Sequence, residues 1–168
     1  PLQAPADVNA RYLGWLKDPD INRTLEVDGA SQTIETLTHY IHGHDNKSKF
    51  LFGIFSKSGV HIGTHSFRLQ QENRLATVGV MIGDKSYWGK GVPLETRARL
   101  LDWAFDELEC NKVEAGCFSN NLPAIYNFIK QHWTREGIQR SHRIVNGRAV
   151  DAILYGMLKE EWHAIRRS

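Results

Sequence analysis

The sequence has little of what marks a membrane protein, a disulfide scaffold or a nucleic-acid binder. No apolar run approaches the roughly 18 residues that cross a bilayer. No stretch near the start has the regions of a signal peptide. The chain starts at Pro1 rather than Met, so a short preceding piece is expected, and the cytoplasm is the expected compartment. There are only two cysteines, Cys110 and Cys117, and their spacing matches no metal-ligand pattern. They read as thiols in a reducing compartment, on opposite faces if the strand proposed below is right. His39, His42 and His44 lack a carboxylate or cysteine at ligand spacing and read as exposed, so no metal is expected. The net charge of +2 is too weak for a nucleic-acid partner but does not repel an anionic ligand. Repeats, low-complexity tracts and linkers are absent too, so residues 1–168 read as one domain.

What is present is a sequence of clear elements. Val8, Tyr12, Trp15 and Leu16 share a helical face that Asp7 is placed to cap, and Asp18-Pro19-Asp20 ends that helix. Ser31 is placed to cap a second helix carrying Ile34, Leu37 and Ile41, stopped by Gly43. Phe50 to Phe55 is a continuous apolar run that reads as a buried strand. Ser58-Gly59 then turns into a strand from Val60 to Leu69, and Gln71-Glu72-Asn73 turns into a third from Leu75 to Ile82. Short connections make these an antiparallel meander. Leu94, Ala98, Leu101, Phe105 and Leu108 form one helical stripe, with Pro93 in its first turn and Glu95 and Arg99 paired outside. A strand from Lys112 to Phe118, a helix over 121–131 and a strand from Val150 to Leu158 complete an α/β or α+β sheet with helices packed on it.

The segment "YWGKGVPLE" joins the third strand to the long helix. Unpaired N–H groups and the helix dipole favour an anion there. Gly89 and Gly91 allow positive φ and close backbone approach, and Lys85 and Lys90 add charge. A phosphate or pyrophosphate is the natural ligand. The segment is not a nucleotide P-loop, because Gly83 and Gly89 are one residue too far apart and Gly91 stands where a magnesium-binding hydroxyl belongs. It is not a dinucleotide fingerprint, because Leu94 stands where the third glycine belongs. An ordinary turn with two glycines and no ligand remains the alternative on the loop alone.

Five segments in order resemble the GNAT superfamily of acyl-CoA-dependent N-acyltransferases, in the branch of ribosomal-protein alanine acetyltransferases (RimJ/RimL-like). They are "RYLGWLKDPDINRTLE" from Arg11, "GIFSKSGVHIGT" from Gly53, "VGVMIGDKSYWGKGVPLE" from Val78, "NNLPAI" from Asn120 and "AILYGMLKEEW" from Ala152. The resemblance implies a mixed, mostly antiparallel sheet, splayed at the signature strand, with helices on both faces. It implies acetyl-CoA as cosubstrate. The pantetheine arm would bond to the backbone of Val80, Met81 and Ile82, and the pyrophosphate would sit on the N–H groups of Trp88, Gly89, Lys90, Gly91 and Val92. Asn121 would reach the cosubstrate from another side. Three positions depart from the family pattern. Ser86 opens the loop where glutamine or arginine is usual, and Pro93-Leu94 replaces alanine-threonine and removes one N–H donor. Ile129 to Trp133 replaces E-K-x-G-F and lacks its glycine.

The implied chemistry is attack of an amine on the thioester and expulsion of a thiolate. The tyrosine that protonates the sulfur in relatives has its usual place at Phe128, which leaves Tyr126 as the candidate acid. Glu26 and His65 are the candidate bases, His65 having a suitable unperturbed pKa. Asp84 more naturally shapes the loop, and a mechanism by proximity alone is open. The acceptor is a primary amine, with a lean to an amino sugar or nucleotide amino sugar, for which Arg11, Arg23 and Arg68 would form a basic pocket. A protein N-terminus comes next. Homodimerisation is compatible with the family. The competing reading is a non-catalytic acyl-CoA-binding sensor or scaffold.

Overall fold

The computed structural model describes residues 1–4, 6–25, 27–145 and 147–167. Six strands lie in one sheet, in the order β1-β2-β3-β4-β6-β5, and helices flank them in sequence as the α/β reading expects. The chain forms two compact units, one of residues 1–68 and 79–90, the other of residues 69–78 and 91–168. Strands β2 (His61–Gln70) and β3 (Leu75–Ile82) contribute residues to both.

Among the described residues of the first unit are the α-helices α1 (Ala10–Lys17), α2 (Pro19–Asn22) and α3 (Ile34–His42). The cap of α1 is Asn9 rather than Asp7: its Oδ1 accepts the Tyr12 N–H at 2.9 Å, while Asp7 accepts the Gln3 N–H. The cap of α3 is Thr33 rather than Ser31, in a reciprocal capping box with Thr36, because Ser31 spends its hydroxyl on the Asp28 carbonyl. Asp18 ends α1 as expected, then caps the unexpected short α2 through the Asp20 N–H. Strand β1 (Lys49–Phe55) runs antiparallel to β2, with Phe52 opposite His65. Tyr12, Trp15, Leu16, Ile21, Leu37, Ile41, Leu51 and Met81 make the core here. Ile34, expected inside with Leu37 and Ile41, is 47% exposed.

In the second unit β4 (Lys112–Phe118) pairs antiparallel with β6 (Arg148–Leu158). Strand β5 (Thr134–Val145) pairs antiparallel with β6 at the end of the sheet. Periodicity misses β5 because it is polar and almost wholly exposed; an edge strand needs no alternating apolar face. The neglected clue is Asn146-Gly147, a strong hairpin dipeptide, though Asn146 lies outside the described residues. Helix α4 (Val92–Asp102) gives way to a π-helical turn over Trp103–Glu107. Ala104 and Phe105, within that turn, are both fully buried. Helix α5 covers Leu122–Lys130, and α6 (Lys159–Arg167) follows β6, also unforeseen. Trp162 of α6 donates to Asp102, and Arg166 bonds Asp106. No helix among the described residues is long and apolar enough to cross a membrane.

Candidate active site

Strand β3 pairs in parallel with β4 over Leu75, Ala76 and Thr77 only. Val80, Met81 and Ile82 lie beyond that last pair. At the end of β3, Gly83 lies flat against Trp15, whose indole a Cβ would enter. The chain then makes a tight turn over Lys85–Tyr87, capped by Asp84, which accepts both the Ser86 N–H and hydroxyl. Those two bonds hold the Asp84 carboxyl below its ordinary pKa. Gly89 and Gly91 are left-handed, with φ of 73° and 75°. A Cβ at either would meet nothing within 4 Å, so backbone conformation alone demands glycine.

Of the five N–H groups expected to face an anion, two are already used. Trp88 N–H donates to the Lys85 carbonyl at 3.1 Å, and Lys90 N–H reaches the Tyr87 carbonyl at 3.4 Å. Among the described residues, the N–H groups of Gly89, Gly91 and Val92 have no such partner. Gly91 is the N-cap of α4, and Pro93 falls in its first turn.

The lysines do not both remain available for a phosphate. Lys85 Nζ lies 2.8 Å from Asp18 and 2.7 Å from Asp20. Those contacts raise its pKa and lower that of Asp18. Lys90 instead rests over the Tyr87 ring, 5.4 Å from its centre. Arg11 lies 3.8 Å from Asp84 and donates to the His61 carbonyl, and Arg23 donates to the Asp20 carbonyl. The basic pocket expected from Arg11, Arg23 and Arg68 therefore has two of its members engaged within the chain. Arg68 is exposed on β2.

His65 is 2% exposed, and its Nδ1 faces the Gly79 carbonyl at 3.1 Å. Glu26, the other candidate base, lies outside the described residues. Among the described residues no cluster of potential metal ligands occurs. Trp88 is 42% exposed, and its Nε1–H donates to the Ile82 carbonyl.

In the second unit Asn121 caps α5, its Oδ1 accepting the Ala124 N–H at 3.3 Å. Tyr126 is 61% exposed, with the Lys130 ammonium 5.8 Å from its ring centre. Phe128 is buried and stacks on Tyr155, centroids 4.3 Å apart. The altered end of α5 keeps the geometry of a glycine stop. Trp133 N–H returns to the Phe128 carbonyl and His132 N–H to the Ile129 carbonyl, a Schellman motif. His132 occupies its left-handed position at φ 60°. Sequence reasoning also missed Arg97. Only 2% exposed, its guanidinium lies 4.4 Å from the Phe128 ring centre and 5.2 Å from that of Trp133. Burial brings its pKa down to about 10. A charge in a helix stripe reads as a solvated face, so only packing reveals it. Burial likewise pushes the Cys117 thiol up to about 11.

Residues 1–130 match the family described as Acetyltransferase (GNAT) domain. An uncharacterized N-acetyltransferase, p20 of Bacillus licheniformis, is 28% identical, over 94% of this chain and 89% of its own length. Among solved structures, spermidine N-acetyltransferase from Vibrio cholerae in complex with CoA and spermine superposes with a TM-score of 0.85 at 18% identity, covering 97% of this chain and 96% of its own. Ribosomal-protein-S5-alanine acetyltransferase from Vibrio fischeri gives 0.80 at 19% identity, over 96% and 92%. Both likenesses, at such identity, concern the fold.

Proposed function

Since this chain belongs to the acetyltransferase (GNAT) family and is an acetyl-transferring enzyme, we propose that it moves acetyl from acetyl-CoA to a primary amine. The observation that carries this reading is the pair of left-handed glycines, Gly89 and Gly91, at the start of α4. They turn the chain where the N–H groups of Gly89, Gly91 and Val92 have no partner among the described residues. A helix start with unpaired N–H groups favours a pyrophosphate. The β3 backbone at Val80, Met81 and Ile82, beyond the last β4 pair, would bond the pantetheine amides. Asn121, whose Oδ1 is committed to the cap, would offer its amide NH2.

In the reaction the amine nitrogen attacks the thioester carbonyl carbon. The developing oxyanion takes a backbone N–H, the carbon–sulfur bond breaks, and the thiolate takes a proton. Tyr126 is the proposed proton donor. Glu26 or His65 is the proposed acceptor of the amine proton, and His65, being buried, would act through an intervening water. The acceptor in this reading is an amino sugar or nucleotide amino sugar, ahead of a protein N-terminus, in a cytoplasmic setting that suits the free thiols of Cys110 and Cys117.

The test is free-thiol release from acetyl-CoA across amino sugars, their nucleotide conjugates, polyamines and short peptides. Release with one acceptor class supports transfer and names the substrate family. Tight binding of acetyl-CoA without release on any amine would favour the non-catalytic binder.

A further inference from the structure

Lys85 stands at the first position of the turn that follows β3, yet its ammonium faces away from the role a loop lysine invites. It bonds two carboxylates at once, Asp18 Oδ2 at 2.8 Å and Asp20 Oδ2 at 2.7 Å. Asp18 divides its work between its oxygens, because Oδ1 accepts the Asp20 N–H to cap α2 while Oδ2 takes Lys85. The same turn is held again by Asp84, which binds Ser86 and lies 3.8 Å from Arg11 on α1. Trp88 closes it with a bond to the Ile82 carbonyl. The α1–α2 corner thus grips the loop through one ammonium.

We propose that Lys85 is a positioning residue. Its bonds to Asp18 and Asp20 hold residues 84–90 in the shape that receives the acetyl-CoA pyrophosphate, without contact between its ammonium and the phosphate. This rests on the reading of the loop given above. Surface ion pairs are individually weak, but a lysine locked by two carboxylates ties this turn to the α1–α2 corner in addition to the bonds of Asp84 and Trp88.

The experiment compares Lys85→Met, Lys85→Arg and the double variant Asp18→Asn/Asp20→Asn in the full chain. Asparagine at position 18 keeps the helix cap. The clamp predicts that Lys85→Met and the asparagine pair both raise KM for acetyl-CoA, about fivefold, with kcat within about twofold. Lys85→Arg should restore wild-type KM. Hydrogen exchange without ligand should speed at the Tyr87 and Trp88 amides in Lys85→Met and in the asparagine pair. A different pattern overturns the proposal: KM raised by Lys85→Met but unchanged or lowered by the asparagine pair, which frees the ammonium and would mark Lys85 as a direct phosphate ligand. Unchanged exchange in Lys85→Met also overturns it. Wild-type protein that binds no acetyl-CoA by calorimetry overturns the loop reading and the ligand named here, and the exchange comparison then decides the clamp by itself.

Discussion

Arg97 Nε donates to Gln131 Oε1 at 2.6 Å inside the second unit, where no carboxylate pairs with the guanidinium among the described residues. Gln131 is the hub of this buried polar cluster. Its Oε1 also accepts from Trp133 Nε1, and its Nε2 donates to the Leu94 carbonyl on α4. Arg97 adds a bond to the Asn127 carbonyl and faces two aromatic rings. The charge is thus met by dipoles and π-faces. The cluster ties α4, which starts at the glycine loop, to α5, which carries Asn121 and Tyr126.

Removing both members should cost less than the two separate losses added together. Gln131→Leu leaves a buried charge short of its main acceptor and is expected to destabilise by about 2–4 kcal/mol. Arg97→Leu leaves Gln131 still bonded to Trp133 and should cost less. The double variant should cost less than the sum, since leucines need no partners. Urea unfolding of all four proteins measures the coupling, and strict additivity would deny the cluster its cooperative role.

His132 holds a left-handed backbone at the end of α5. His132→Gly should therefore stabilise the protein by about 1 kcal/mol, seen as a raised Tm. A lowered Tm would mean that the exposed imidazole makes contacts worth more than the strain.

Gly91→Val should weaken acetyl-CoA binding, by blocking backbone approach and by straining a φ of 75°. Gly147, with φ 74° in the β5–β6 turn, provides the control. Gly147→Ala should lower stability and leave affinity alone. Equal affinities in calorimetry for wild type and Gly91→Val would remove the pyrophosphate from this loop.

Tyr126→Phe should lower kcat by about tenfold or more with acetyl-CoA affinity kept, if the phenol protonates the leaving sulfur. Wild-type turnover in that variant would leave Tyr126 as an exposed side chain beside Lys130.

Asp45 should contribute to the acid sensitivity of the fold. Its Oδ1 accepts the N–H groups of Lys47, Ser48 and Lys49, which hold its carboxyl far below its ordinary pKa of 3.8. A depressed folded pKa gives stability that is present above the unfolded value and lost as pH falls towards the folded one. Below about pH 4, thermal unfolding of Asp45→Asn should therefore depend on pH less steeply than wild type. Parallel slopes would assign the acid loss to other carboxylates.

The strands were legible where both faces are apolar or alternate, because burial writes itself into composition. Leu75–Ile82 and Lys112–Phe118 have the expected bounds. Caps were misassigned by two residues at α1 and α3, because Asp7, Asn9, Ser31 and Thr33 are all competent acceptors and local geometry selects among them. Edge strand β5 was illegible because exposure leaves no apolar signature.

The sequence by itself determined the family, the order of most elements and the glycines that must turn left-handed at 89 and 91, since only glycine adopts that backbone without cost. Tertiary structure alone decided which charges serve the loop and which serve the frame. Lys85 and Arg97 are ordinary cations in sequence. One lies between two carboxylates that precede it by 65 and 67 residues. The other lies beneath a glutamine 34 residues later. Such pairings depend on where the backbone brings distant side chains, and neither periodicity nor local propensity carries that information.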